Sequence, residues 1–158
     1  FDMACYLSQQ NVKKVYSTGS VFGNKEIKEI GDIDTAVTTI TFENGSIATI
    51  DNSRKANYGY DQRVEVFGSL GMSISQNQLS NNNIIANNKG IHYSKPLGFF
   101  LERYSQSYIS IMNEFINCLI KKKEISCGIK AGLDSLKIAL AAKKSLNENR
   151  VVDFDEIK

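Results

Sequence analysis

The chain has 158 residues, and its net charge of +2 comes from 19 basic and 17 acidic side chains. This length is enough for about one domain that buries its own hydrophobic core without metal or disulfide support. Apart from Lys121 to Lys123 the basic residues are dispersed, which argues against nucleic acid as the main partner. No apolar run approaches the roughly 20 residues that cross a bilayer, so we also expect no membrane partner.

The cysteines exclude two further classes of protein. Cys5, Cys118 and Cys127 form no CxxC pair, and their number is odd. Neither a disulfide framework nor a zinc site is therefore indicated, and reduced thiols in a cytoplasm are the simpler interpretation.

The first residues have the pattern of a helix that is already under way. Apolar residues recur at spacings near three and four from Phe1 to Leu7, and a polar run over residues 8–11 ends the pattern. Because no Met begins the chain, we expect it to be a piece of a longer protein. Asp2 falls in the first turn, where a carboxylate interacts favourably with the helix dipole.

Strands are predicted next. The first two cover residues 12–20 and 32–42, with a charged loop between them, and Asn44-Gly45 predicts a type I′ hairpin into a strand over residues 46–54. A shorter strand over residues 63–67 should turn at Gly68 to Gly71 into residues 72–76. The Asn-rich segment up to Gly90 indicates a meander of short outer strands.

The segment between residues 54 and 63 is more polar and aromatic than a connection requires. It carries the cation Lys55, the amide of Asn57, the hydroxyls of Tyr58 and Tyr60, and the carboxylate of Asp61. We interpret it as a binding loop held by a rigid sheet. An ordinary exposed loop with two half-packed tyrosines is the alternative, and the residues alone do not decide between them.

After Pro96 the apolar period becomes helical. One helix of about five turns, from Tyr104 to Ile120, should bury its apolar stripe against the sheet, and a second is predicted over residues 130–147 with Leu133, Leu136, Leu140 and Ala141 inward. The tail over residues 151–154 should add an edge strand or lie extended. The prediction is therefore an α+β domain with an open, predominantly antiparallel sheet and helices packed on one face.

The other face of that sheet is predicted to be small and mostly uncharged. Either water covers it or a second sheet stacks on it, and we favour stacking, which makes a homo-oligomer through the open face the expected assembly. The residues assigned to this face are Thr35, Val37, Thr39, Thr41, Phe67, Ser73 and Ser75.

Motifs for catalysis are absent from the sequence. No GxGxxG or P-loop spacing occurs, the carboxylates are dispersed, and the single histidine, His92, lies in an Asn-rich outer strand. From the residues alone the chain is an α+β domain with a candidate ligand loop.

Three stretches resemble a known family. FDMACYL at residues 1–7, GDIDTAVTTITFENGSIATIDNSRKANYGYDQRVEVFGSLGM at 31–72 and FFLERYSQSYISIMNEFI at 99–116 are similar to the C-terminal half of the glucose-fructose oxidoreductase and inositol dehydrogenase family, on the branch of the bacterial inositol 2-dehydrogenases. The resemblance implies that residues 1–158 are one substrate-binding and oligomerisation domain of a two-domain dehydrogenase. The tail after Val151 and the Asn-rich meander are the poorest matches.

The resemblance also implies a division of labour. An N-terminal Rossmann domain would bind the NAD cofactor, and the catalytic residues would lie upstream of Phe1, so that no catalytic, cofactor or metal residue is expected in this chain. Asp2 and Tyr58 match positions that face the polyol substrate, and Asn52 and Arg54 are weaker candidates for which a structural role is equally open. A stand-alone polyol-binding or assembly module derived from the same domain is the alternative function.

Overall fold

The computed structural model describes all 158 residues, which form two compact units. One unit comprises Phe1–Lys55 together with Ser126–Lys158, and the other comprises Ala56–Ile125. None of the helices is both long enough and apolar enough to cross a lipid bilayer.

The first unit contains a four-stranded antiparallel sheet. Its strands are β1 (Val12–Ser20), β2 (Thr35–Phe42), β3 (Ile47–Ser53) and the two-residue β8 (Val152–Asp153), and their order is β3-β2-β1-β8. The tail therefore adds an edge strand, which was one of the two arrangements predicted for residues 151–154. It continues into a 3₁₀ turn at Phe154–Glu156.

The helices of this unit are α1 (Asp2–Ser8), the short α2 (Lys25–Glu29) and α4 (Ile129–Glu148). The pattern in residues 1–7 predicted α1, whereas α2 lies in the segment that was predicted to be a loop. Asn24 is the N-cap of α2, and its side chain accepts the backbone N–H of Glu26 at 2.9 Å.

The core lies between the sheet and α4. Alternate residues of the central strands point to α4, so that Val15, Ile40 and Phe42 are at most 1% exposed. The α4 residues that meet them are Ile138, Ala141 and Ala142, and Val152 of β8 closes the cluster. The predicted α+β fold, with an open antiparallel sheet and helices on one face, is confirmed.

Three details of α4 correct the prediction. Leu133, Leu136 and Leu140 were expected to face inward, but they are 50%, 56% and 46% exposed, and only Ala141 of the predicted set is buried. The helix carries apolar residues on two faces, and the face rich in alanine is the one that approaches the sheet closely.

The second unit contains two hairpins and the long helix. The strands β4 (Val64–Gly68) and β5 (Gly71–Ser75) pair with each other through a two-residue turn, and so do β6 (Ile84–Asn87) and β7 (Gly90–Tyr93). The turn at Gly68 to Gly71 is confirmed. Because β4 and β5 do not extend the four-stranded ladder, Phe67, Ser73 and Ser75 are not members of that sheet, contrary to the assignment made from the sequence.

Helix α3 spans Phe100–Lys121, about one turn longer than predicted, and has no buried residue. The prediction that its apolar stripe is buried against the sheet is therefore wrong for this chain. Residues of the stripe are between 43% and 73% exposed, namely Tyr108, Ile111, Met112, Phe115, Leu119 and Ile120.

The hairpin between β2 and β3 forms where Asn44-Gly45 predicted it, but the turn type differs. Gly45 has a φ of +86°, whereas Asn44 does not adopt a positive φ, which a type I′ turn requires. The Gly45 N–H donates to the Phe42 carbonyl at 3.0 Å, and the Asn44 side chain accepts the Ser46 N–H at 3.0 Å. These bonds describe a three-residue connection with a left-handed glycine at its end.

Candidate functional site

The loop between β3 and β4 is fixed by backbone contacts. At its start the Arg54 N–H donates to the Asp34 carbonyl at 2.8 Å, and further along the Tyr60 N–H donates to the Leu97 carbonyl at 2.8 Å. Gly59 has a φ of +138°, and a Cβ at this position would lie 2.9 Å from the Pro96 carbonyl oxygen. Only glycine fits this close approach, so the loop has a defined path past Pro96.

A carboxylate organises the polar side chains of the loop. Asp61 accepts the Arg63 Nε at 2.8 Å and Nη2 at 3.0 Å, and it accepts the Asn77 Nδ2 at 2.7 Å. The Tyr58 hydroxyl also donates to Asp61. The exposed Tyr58, at 51% exposure, is thereby held in one orientation at the loop surface.

The hydrogen bonds to Asp61 stabilise its charged form. They hold the pKa of this carboxyl to about 2, chiefly through Arg63 and then through Tyr58 and Asn77, although burial acts in the opposite direction. Asp61 is therefore ionised throughout the physiological pH range.

Two more aromatic residues connect the loop to α3. The rings of Tyr60 and Tyr104 meet edge to face with centroids 5.9 Å apart, and the Arg103 guanidinium lies 5.7 Å from the Tyr104 centroid. Burial, with a smaller contribution from Tyr60, raises the pKa of Tyr104 to about 12. Tyr60 therefore helps to hold the loop, while Tyr58 remains at its exposed surface.

The other predicted substrate residues lie in the first unit. Asp2 is the exposed first residue of α1. Asn52 is an exposed residue of β3 and pairs with Ala36, on the sheet face that α4 covers further along. The Arg54 side chain is exposed, and its backbone N–H makes the bond to Asp34 already described.

The sequence did not single out two further residues that hold this part of the chain in place, Asp34 and Asn77. Asp34 was treated only as part of a strand, yet its side chain organises the connection between β1 and β2. Asn77 lies in a run of Asn, Gln and Ser that gave no functional signal, and it contacts Asp61 from 16 positions away. The spacing of Asp61 and Arg63 was the one local signal, because residues two apart in extended chain share a side. No group of three or more His, Cys, Asp or Glu side chains in the chain is arranged to hold a metal ion.

Comparison with known proteins identifies the domain type. Residues 1–74 match the family model described as the GFO/IDH/MocA C-terminal domain. The crystal structure of a probable dehydrogenase from Thermotoga maritima superposes with a TM-score of 0.97 at 40% identity, over 100% of this chain and 47% of that chain. Residues 1–74 therefore carry the GFO/IDH/MocA C-terminal domain.

Two curated relatives match nearly the whole chain. This chain is 41% identical over 157 residues to a myo-inositol 2-dehydrogenase from Thermotoga maritima, and the match covers 99% of this chain and 47% of the relative. It is 29% identical over 157 residues to an NAD(+) scyllo-inositol 2-dehydrogenase from Bacillus subtilis, covering 98% of this chain and 45% of the relative. The chain thus spans about half the length of the curated relatives it matches.

Proposed function

We propose that residues 1–158 are the C-terminal domain of a two-domain, cytoplasmic, NAD-dependent inositol 2-dehydrogenase. The domain would supply residues that orient the substrate and contacts that build a homo-oligomer. The observation that carries the proposal is the 41% identity, over 99% of the chain, to a myo-inositol 2-dehydrogenase. The whole enzyme would oxidise one ring hydroxyl of inositol to a ketone.

The polar loop supports a polyol as the ligand. Inositol presents hydroxyls around a ring, and each hydroxyl can both donate and accept a hydrogen bond. Tyr58 offers a hydroxyl that is held at the surface by Asp61, and Asp2 offers an exposed carboxylate. We assign both to substrate orientation, with Asn52 and Arg54 as further candidates. Orientation of the ring decides which carbon reacts, so these residues would position the substrate and break no bond.

The residues of this chain do not fit the nicotinamide cofactor. Dinucleotides bind where a parallel strand runs through a glycine-rich turn into a helix. Every strand pair in this chain is antiparallel, and no such strand-turn-helix unit occurs. We therefore assign the cofactor and the catalytic base to the other half of the enzyme, and we expect the isolated chain to bind neither NAD nor NADP and to be inactive.

The proposal names the inositols as a class and no single isomer. One of the two relatives is a myo-inositol 2-dehydrogenase, and the other is a scyllo-inositol 2-dehydrogenase. These isomers differ in the configuration of one hydroxyl, so small differences in the orienting residues would suffice to separate them.

Substitutions at the two substrate residues test this function in the full-length enzyme. Replacing Tyr58 by Phe or Asp2 by Asn removes one group that bonds the polyol, and each change should cost about 1–3 kcal/mol of transition-state binding, measured as kcat/KM for inositol. Tyr93→Phe is the matched control, because it removes a hydroxyl from an exposed tyrosine on β7. If both test variants keep the wild-type kcat/KM, neither residue contacts the substrate.

The alternative is a stand-alone polyol-binding or assembly module. The gene sequence upstream of the Phe1 codon distinguishes this module from the dehydrogenase. A reading frame that continues into a glycine-rich strand and helix supports the dehydrogenase, whereas an in-frame start codon immediately before Phe1 supports the module.

A further inference from the structure

Asp61 has its hydrogen-bonding capacity filled by neighbouring side chains. A carboxylate offers about four lone-pair positions. Oδ1 accepts from the Arg63 Nε and the Asn77 Nδ2, while Oδ2 accepts from the Arg63 Nη2 and the Tyr58 hydroxyl. Four donors therefore occupy one carboxylate, which leaves it no position for a substrate hydroxyl. Any effect of Asp61 on a ligand must pass through one of these neighbours.

The direction of the bond between Tyr58 and Asp61 follows from charge. Arg63 and Asn77 are donors at the atoms that contact Asp61, and together with Tyr58 they keep the carboxyl ionised. An ionised carboxylate has no proton to donate, so the phenol proton must point to Asp61. Asn77 also accepts the Gln62 N–H at 2.7 Å, which fixes the amide that orients Asp61.

We propose that Asp61 is a positioning residue that makes Tyr58 a hydrogen-bond acceptor towards the substrate. This inference rests on the proposed function, in which Tyr58 contacts the polyol. With its proton directed to Asp61, the Tyr58 hydroxyl can meet a ligand only as an acceptor, and it then selects a ring substituent that donates. The group recognised by Tyr58 is then a free hydroxyl, and an ether or a halogen at that ring position is rejected.

Replacing Asp61 by Asn should reverse this polarity. Asn has one acceptor oxygen and one donor NH₂ group in nearly the same shape. The Asn oxygen should keep the side of the Arg63 Nε and Asn77 Nδ2 donors, so the NH₂ group takes the place of Oδ2. There it loses the bond from the Arg63 Nη2 and faces the Tyr58 hydroxyl. The phenol then accepts from Asn and turns its own proton towards the ligand.

Deoxyfluoro-inositols report this polarity, because fluorine is close to a hydroxyl in size but cannot donate. We would measure kcat/KM in the full-length enzyme for inositol and for analogues fluorinated at each ring position that is not oxidised. In the wild type, the ring position that meets Tyr58 should show a fluorine penalty of at least about tenfold, and a position that meets the acceptor-only Asp2 carboxylate should show one as well. The position that belongs to Tyr58 is the one whose penalty Tyr58→Phe removes. Asp61→Asn should reduce the penalty at that position to within about threefold of unity, even if overall activity falls.

Two variants serve as controls for the loop. Arg63→Gln removes the ion pair but keeps the acceptor for Tyr58, and Asp61→Glu keeps a charged acceptor, so both should retain the fluorine penalty. If Arg63→Gln abolishes the penalty as Asp61→Asn does, the network only holds the loop in place and the inference is overturned.

The remaining outcomes separate this inference from the function on which it rests. Tyr58→Phe should remove the penalty at the same ring position. If Tyr58→Phe changes neither the penalty nor kcat/KM, the contact between Tyr58 and the polyol is wrong. If Tyr58→Phe lowers kcat/KM but removes the fluorine penalty at no ring position, Tyr58 acts as a donor and only the role of Asp61 fails. This last comparison needs no Asp61 variant to fold.

Discussion

A single residue, Asp34, holds the connection between β1 and β2 together. The residue is 8% exposed, and its side chain accepts hydrogen bonds from the backbone N–H groups of Phe22, Gly23 and Asn24 and from the hydroxyl of Thr35. The bonds from Phe22 and Gly23 have the largest effect on its pKa, which they lower to about 2 against the opposing effect of burial. The charged carboxylate thus accepts the backbone N–H groups that would have carbonyl partners in a regular helix or strand.

Asp34 should therefore contribute to stability in a pH-dependent way. Because folding lowers its pKa, its contribution is fully present above about pH 4 and is lost as the pH falls to about 2. Asp34→Asn should lower the thermal midpoint at pH 7 and flatten its fall between pH 4 and 2. The midpoints would be followed across this range by circular dichroism.

Asp32→Asn is the control for that experiment, since it alters an exposed carboxylate two residues away. The wild-type fall will persist in part in Asp34→Asn, because Asp61 also has a lowered pKa. Identical pH profiles for the wild type and Asp34→Asn would contradict the role of Asp34.

Site residues could be predicted from the sequence where their partners lie close in the chain, and not where the contact joins distant segments. Tyr58 and Asp61 stood out because their loop is more polar and aromatic than a connection needs. Asn77 and Leu97 did not, since their contacts with the loop depend on the path of the chain between them. Phe22 to Asn24 lack any motif that marks them as donors to Asp34, because the bonds come from backbone N–H groups.

Among the helices and strands, α4 shows that apolar periodicity predicts a helix and its bounds but not which face of the helix is buried. Its existence and bounds were predicted to within a residue, but it has two apolar stripes at helical spacing. One stripe holds Leu133, Leu136 and Leu140, and the other holds Ile138, Ala141 and Ala142. Larger leucines favour the first stripe by hydrophobicity alone, while the small alanines of the second let the backbone approach the sheet.

Substitutions on the two stripes should have very different effects. Ile138 is fully buried, so Ile138→Ala removes packed atoms and leaves a cavity, at a cost of about 2–5 kcal/mol in the free energy of unfolding. Leu136 is 56% exposed, and Leu136→Ala should change stability by no more than about 0.5 kcal/mol. Urea denaturation of both variants measures the difference, and equal losses would mean that Leu136 is packed as tightly as Ile138, contrary to its exposure.

Hairpins were predicted better than sheet membership, for a related reason. The turns at Gly45 and Gly71 depend on local backbone conformation, and both glycines have a positive φ, of +86° and +142°. Whether β4 and β5 join the main sheet depends on hydrogen bonds to strands far away in sequence. Short polar alternation is compatible with either arrangement, so the sequence could not separate them.

For the molecule as a whole, the open face of the four-stranded sheet is the surface that the proposed oligomer would use. On β2 this face carries Thr35, Val37, Thr39 and Thr41, and Val37 is 42% exposed. Its neighbours across the ladder are mostly uncharged, with Tyr16 and Thr49 on either side of Thr39, and Asp51 beside Val37. Small side chains permit close approach of a second sheet, as an isologous contact between two copies requires.

We expect the chain to be at least a dimer at micromolar concentration, because a contact of roughly 800 Å² per partner suffices for a stable pair. Thr39→Lys places a charge between Tyr16 and Thr49, at the centre of the face, and should shift the chain towards monomer in sedimentation velocity while its circular dichroism spectrum stays unchanged. Asn147→Lys adds the same charge on the exposed side of α4 and should leave the association intact. If the wild-type chain sediments as a monomer over the whole range, water covers this face in the isolated chain. If Asn147→Lys dissociates it as strongly as Thr39→Lys, net charge and not the sheet face controls the association.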